Sequence, residues 1–101
     1  MAQVRWTEAG SSWMERVHQS IAADSVRNAD RVVESLMERV EWLGQSPLLG
    51  YRIEHDSDHH IRVLVHGHYR VVYLVEDDAV VVVGVYHTPM NFVAYLDNDL
   101  P

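Results

Sequence analysis

Apolar residues recur at helical spacing through the first half of the chain. Trp13, Val17 and Ile21, with Met14 alongside, fall on one stripe of a helix. Ser12-Trp13-Met14-Glu15 has the form of a capping box, in which a serine oxygen and a glutamate carboxylate each satisfy an orphan backbone amide, so a helix is predicted to start there or one turn earlier at Thr7. Asp24-Ser25 offers a second N-cap. Val26, Ala29, Val33, Leu36, Val40 and Leu43 then follow at alternating steps of three and four, the strongest periodic signal in the sequence. Gly44 is expected to stop this helix, and Pro47 lies where another could not easily continue. The short link Ala22-Ala23-Asp24 makes the two helices an antiparallel hairpin.

Beyond Gly50 the period changes to two and the residues become β-branched. Arg52-Ile53-Glu54 is a weak strand, and Ile61 to Val65 a better one. His66-Gly67-His68 turns into Tyr69 to Val75, and Glu76-Asp77-Asp78 turns into Ala79 to Tyr86, the pattern of an antiparallel meander. Polar residues interrupt the middle strands only at Arg62 and Arg70, so the sheet must be covered on both faces: one by the hairpin, the other by the C-terminal segment or a partner. With a short N-terminal strand at Gln3 to Trp6, the order predicts an α+β fold, the hairpin packed on a three- to four-stranded antiparallel sheet.

Composition narrows the function. The 101 residues, with 48% hydrophobic and 23% charged, fit one folded domain over 1–101. Fifteen acids against eight bases give a net charge of −7, and every base is arginine. Such a chain is repelled by polyanions, so neither direct nucleic-acid binding nor an anionic membrane surface is expected. The absence of cysteine removes disulfides, thiol catalysis and thiolate metal sites. The first residues, Met1 to Trp6, contain no apolar signal region and no run is long enough to span a bilayer, so a cytoplasmic location is expected.

In order along the chain, Trp6 and Ala9, Ile21-Ala22, Ala29, Leu36, then Leu43, Pro47 and Gly50, resemble the ParE/RelE superfamily of toxins from bacterial toxin–antitoxin pairs. Ile61-Arg62-Val63-Leu64 stands at the family's arginine strand, and Tyr69-Arg70-Val71-Val72-Tyr73 is similar to its tyrosine-arginine-aliphatic-aliphatic-tyrosine motif. Val85-Tyr86-His87-Thr88-Pro89-Met90-Asn91, followed by Tyr95-Leu96, looks like the ending of the ParE branch. The ParE resemblance implies a non-enzymatic toxin that poisons DNA gyrase by protein contact and is neutralised by a ParD-like antitoxin. The RelE resemblance implies a ribosome-dependent messenger ribonuclease, and a third alternative is a toxin fold that binds antitoxin but has lost its target.

Under the ribonuclease alternative Arg52, Arg62, Arg70 and His87 carry the chemistry, with His87 as acid or base. Arginine is a poor proton shuttle, Thr88 stands where related nucleases commonly have tyrosine, and lysine is absent, so the ParE branch is favoured. There the C-terminal segment is the implied target surface, through His87, Thr88, Met90, Asn91, Phe92 and Tyr95. Many members carry a basic residue between the histidine and the methionine; here those positions are Thr88 and Pro89. The antitoxin is expected in the groove left by hairpin and sheet, near Trp13, Val17, Arg62, Arg70 and Tyr73. A chain with an uncovered sheet can also self-associate, so a homodimer is expected as an option when the toxin is free.

Simpler roles compete for the same residues. Arg62 and Arg70 can pair with helix carboxylates such as Glu34, Glu38 or Glu41. His87 reads as a strand-end histidine bonded to backbone, Tyr69 and Tyr73 as packing groups on one face, and Trp13 and Trp42 as packing of the hairpin. His55, Asp56, Asp58, His59 and His60, or His66 with His68, could hold zinc or nickel. Asp56-Ser57-Asp58 reads more simply as a solvated turn, and Gly67 places the other pair in a turn, so no metal and no cofactor are expected.

Overall fold

The computed structural model describes residues 1–101. Strand β1 (Gln3–Trp6) leads directly into helix α1 (Glu8–Ala22). Thr7 caps α1: its Oγ1 accepts from the Gly10 amide at 3.0 Å, while its own amide donates to the Val82 carbonyl at 3.0 Å. The capping box at Ser12 therefore does not form, and Glu15 lies inside the helix. Both starts carry N-cap chemistry; the earlier one wins because Thr7 is also the last residue tied to the sheet. Trp13, Met14 and Val17 form the buried stripe of α1.

Ser25 caps helix α2 (Val26–Glu41), its Oγ accepting from the Asn28 amide at 3.1 Å. Ala29, Leu36 and Val40 are buried as the periodicity predicts, and a 3₁₀ turn over Trp42–Gly44 carries Leu43 into the core. Complete burial of a leucine such as Leu36 contributes about 1.5–3 kcal/mol. The stripe fails at its first residue, and one residue beside it turns outward. Val26, in the first turn, and Trp42, in the 3₁₀ turn, are exposed, so Trp42 does not pack the hairpin.

The sheet runs β1-β5-β4-β3-β2, with β2 at Tyr51–Ile53, β3 at Ile61–His66, β4 at Tyr69–Val75 and β5 at Ala79–His87. The four antiparallel strands are β2 to β5; β1 adds a fifth, parallel to β5, pairing Gln3 with Ala79 through Trp6 with Val82. Gly67 makes the β3–β4 turn at φ +59°, a left-handed conformation that glycine adopts without a Cβ penalty.

Strand alternation assigns the faces. Arg70, Val72 and Leu74 share one face with Val63, Ile61, Gly84 and Tyr86. Tyr69, Val71 and Tyr73 share the other with Arg62, Leu64, His66 and Val85. The hairpin covers this second face, where Ser35 Oγ of α2 meets His66 Nε2 at 2.8 Å. The first face is covered by the C-terminal segment, which forms a short helix α3 (Val93–Asp99) and buries Phe92 and Leu96. The chain thus supplies its own second layer.

Candidate functional site

The C-terminal segment leaves β5 at His87, turns through Thr88-Pro89, where the Met90 amide donates to the His87 carbonyl at 2.9 Å, and returns over the sheet as α3. Phe92 stacks on Tyr86 with ring centroids 5.9 Å apart, and the Arg70 guanidinium lies 5.5 Å from the Phe92 centroid. Because β1 pairs only as far as Val82, the end of β5 has an open side, and there Trp13 of α1 reaches Tyr86 at 4.8 Å. Asp99 closes the arrangement: its Oδ2 accepts from the Trp13 indole at 2.8 Å and from the Tyr86 hydroxyl at 2.6 Å. Burial, then the Asp99 carboxylate, pushes the Tyr86 phenol far above its ordinary pKa, so it stays a donor.

A second set of contacts lies at the same C-terminal end of the segment. His55 Nε2 lies 3.3 Å from Asp97, and His59 Nε2 3.4 Å from the Pro101 carbonyl. Neither Asp99 nor the role of Asp97 is legible in the sequence, where only the apolar run from Phe92 to Leu96 signals that the tail packs. Within the proposed target surface, His87, Thr88, Asn91 and Tyr95 are exposed, Met90 is half-buried and Phe92 is buried. The outward groups are thus polar or aromatic, and none is lysine or arginine.

The four groups of the nuclease alternative do not converge. Arg52 and Arg62 pair across β2 and β3 on the hairpin face, whereas Arg70 lies on the opposite face. His87 pairs with Tyr69 and Arg62 with Tyr73, an offset of four residues, about 13 Å along the strand at ~3.3 Å per residue. Neither Arg62 nor Arg70 meets a helix carboxylate. Arg62 donates to the Leu48 carbonyl at 3.1 Å, to the Gly50 carbonyl and to His60 Nε2 at 3.0 Å, and Arg70 covers Phe92. The loop from Pro47 to Gly50, not a helix, supplies the carbonyls that Arg62 binds. The His87 ring packs beside Tyr69 at 5.4 Å and His68 at 6.5 Å instead of bonding to backbone.

Of the expected antitoxin contacts, Trp13 and Val17 are already buried and Tyr73 is wholly so. The Tyr73 hydroxyl donates to the Pro47 carbonyl at 2.7 Å and accepts from the Gly50 amide at 2.9 Å, which makes it an internal brace of that loop. Burial raises its pKa, partly offset by the Gly50 amide and Arg62. Tyr73 therefore presents no atom to a partner, while Arg62 and Arg70 remain partly exposed. The helical hairpin does leave a groove. It lies between α1, α2 and β1, about 360 Å³ in volume, walled by Trp6, Met14, Val33 and Met37 with Glu15 and His18 at its rim. Trp6, Val33 and Met37 carry the helical or strand pattern but were not separable from core by sequence.

His66 is taken up by Ser35, and no three His, Asp or Glu side chains gather as metal ligands. No helix is long and apolar enough to cross a membrane.

Comparison with known proteins adds three findings. The family described as ParE toxin of type II toxin-antitoxin system, parDE, matches residues 4–92. The fold is similar to a chain of the chromosomal ParDE toxin–antitoxin system from P. aeruginosa, with TM-score 0.70 and 14% identity, covering 86% of this chain and 96% of that one. It is also similar to a chain of the toxin–antitoxin complex RelBE2 from Mycobacterium tuberculosis, with TM-score 0.67 and 20% identity, covering 85% and 96%. No curated protein matches in sequence.

Proposed function

The chain belongs to the family of ParE toxins of type II toxin–antitoxin systems, and from that premise we propose that it is a cytoplasmic, gyrase-directed toxin that acts by protein contact and is neutralised by a ParD-like antitoxin. The observation that carries the non-catalytic reading is the dispersal of Arg52, Arg62, Arg70 and His87 over two sheet faces. Messenger cleavage needs a proton donor or acceptor and charge-stabilising groups around one phosphate. Here Arg62 spends its donors on carbonyls and His60, and Arg70 is stacked on Phe92. Net charge adds to this, since −7 opposes approach to ribosomal RNA.

The gyrase contact requires only a fixed surface, and the segment from His87 to Tyr95 supplies one. Its docking through Tyr86, Asp99 and Trp13 fixes the backbone that carries His87, Thr88, Asn91 and Tyr95, which lowers the entropic cost of binding. Thr88 and Pro89 add no charge to that contact. The apolar groove between α1, α2 and β1 suits an amphipathic antitoxin helix, read through apolar anchors, with Glu15 favouring basic residues on the helix flank.

Induced expression with separate readouts of plasmid supercoiling and of messenger cleavage on ribosomes tests the proposal. Lost supercoiling without cleavage is the expected result. Cleavage abolished by His87→Ala or Arg70→Ala would overturn it in favour of the ribonuclease.

A further inference from the structure

Arg52 and Arg62 stand directly opposite each other on β2 and β3, on the same face, at the edge of the sheet. Like charges in that relation repel and destabilise a strand pair. No carboxylate relieves them: the close acid contacts of the chain are made by His18 and His55 instead. In α2, by comparison, Arg27 and Arg31 each have an acid three residues on, at Asp30 and Glu34, and neither stands directly opposite a like charge across a strand pair. His60 brings no negative charge to them either. It accepts from Arg62 Nε at 3.0 Å, and burial followed by the two guanidiniums lowers its pKa, so the imidazole stays neutral beside them. In a chain of net charge −7, this is a local concentration of positive charge with no carboxylate at ion-pair distance.

The backbone next to this pair exposes apolar surface for a definable reason. Arg62 binds the carbonyls of Leu48 and Gly50, and Tyr73 binds Pro47 and Gly50 from below. With its polar backbone groups turned inward, the loop leaves Leu48 60% and Leu49 43% exposed, and Tyr51, the first residue of β2, 49% exposed. β2 is an edge strand, with one side free of any partner. Tyr51 and Arg52 are successive and so face opposite ways. A strand added alongside would meet an aromatic ring on one face and a guanidinium pair on the other.

We propose that the β2 edge, with Leu48, Leu49, Tyr51, Arg52 and Arg62, docks an extended segment of a protein partner in which carboxylate and apolar side chains alternate. Strand addition satisfies the free edge, the carboxylates relieve the arginine pair by charge-assisted bonds, and the apolar side chains cover the leucines and Tyr51. The site is separate from the apolar groove of the hairpin and from the C-terminal surface. It stands whether or not gyrase is the target.

The test is a titration of the intact protein, isotopically labelled, with a blocked peptide of alternating Glu and Leu, followed by the Arg52 and Arg62 Nε–H signals and the His60 ring signals. Saturable shifts of all three residues are expected, with affinity about tenfold lower in Arg52→Gln, the loss of one charged hydrogen bond, and partly restored in Arg52→Lys. The Arg52 side chain is exposed and makes no hydrogen bond, so these variants fold. Equal binding of the peptide with Gln in place of Glu would overturn the proposal. So would displacement of the peptide by a single-stranded oligonucleotide at lower concentration, which would assign the arginines to phosphate. A concentration-dependent dimer abolished by Arg52→Gln would overturn it as well, by assigning the edge to a second copy of the chain.

Discussion

The Tyr86 hydroxyl donates to Asp99 Oδ2 at 2.6 Å and thereby ties the last turn of α3 to β5. Phe92 stacks on the same tyrosine ring, so one side chain anchors both ends of the C-terminal segment. If this bond fixes the segment, Tyr86→Phe should cost about 1.5 kcal/mol, the low end for a bond to a charged group. The local effect should be larger than the global one. Amide exchange in residues 93–99 should accelerate more than in β3 or β4, as measured by hydrogen exchange at neutral pH.

Gly84 lies under the Tyr86 ring, and a Cβ there would collide with it. Gly84→Ala should therefore displace Tyr86 and with it Asp99, at a cost of about 1–3 kcal/mol for overpacking. Urea unfolding should show the loss. The double variant Gly84→Ala/Tyr86→Phe should lose less than the sum of the two, because both act on one contact.

Tyr73 braces the loop from Pro47 to Gly50 through two bonds, one given and one received. Tyr73→Phe leaves the buried Gly50 amide without its partner, which should cost about 1–3 kcal/mol. Thermal unfolding followed by circular dichroism reads it. The same variant should shift the signals of Leu48 and Leu49, which the brace holds outward.

His60 should give stability a pH dependence of definite sign. Its folded pKa lies below the ordinary value of 6.5, because burial and then Arg52 and Arg62 disfavour the charged ring. The unfolded chain then binds more protons, so this contribution is complete above pH 6.5 and is lost as pH falls toward the folded pKa. His60→Gln keeps an acceptor for Arg62 without titrating. Melting temperatures from about pH 7.5 to 5.5 should fall less steeply in the variant than in the parent chain.

The hairpin and the strands β3 to β5 are legible in the sequence because each rests on local period: Trp13 and Val17 one turn apart, or Ile61 to Val65 alternating about Arg62. What the sequence does not disclose is long-range. β1 pairs with β5 across more than seventy residues, Thr7 bonding to Val82, and that contact selects Thr7 over Ser12 as the helix cap. Asp99 bonds Trp13, 86 positions away. Arg62 prefers carbonyls of a loop whose path depends on Tyr73, so a helix carboxylate, the plausible partner from charge alone, is not the one found. At the site, the residues from His87 to Tyr95 were readable as a segment, but which of them face outward depends on the way Tyr86 and Asp99 dock it.

Gyrase-catalysed supercoiling of relaxed plasmid, titrated with the purified chain, separates a gyrase-directed toxin from a ribonuclease. Supercoiling is expected to be lost, linear plasmid to accumulate when the reactions are quenched with denaturant, and a cognate antitoxin added first to prevent both. Full supercoiling at molar excess of the chain, with the same preparation cleaving messenger on ribosomes, would contradict the gyrase-directed reading.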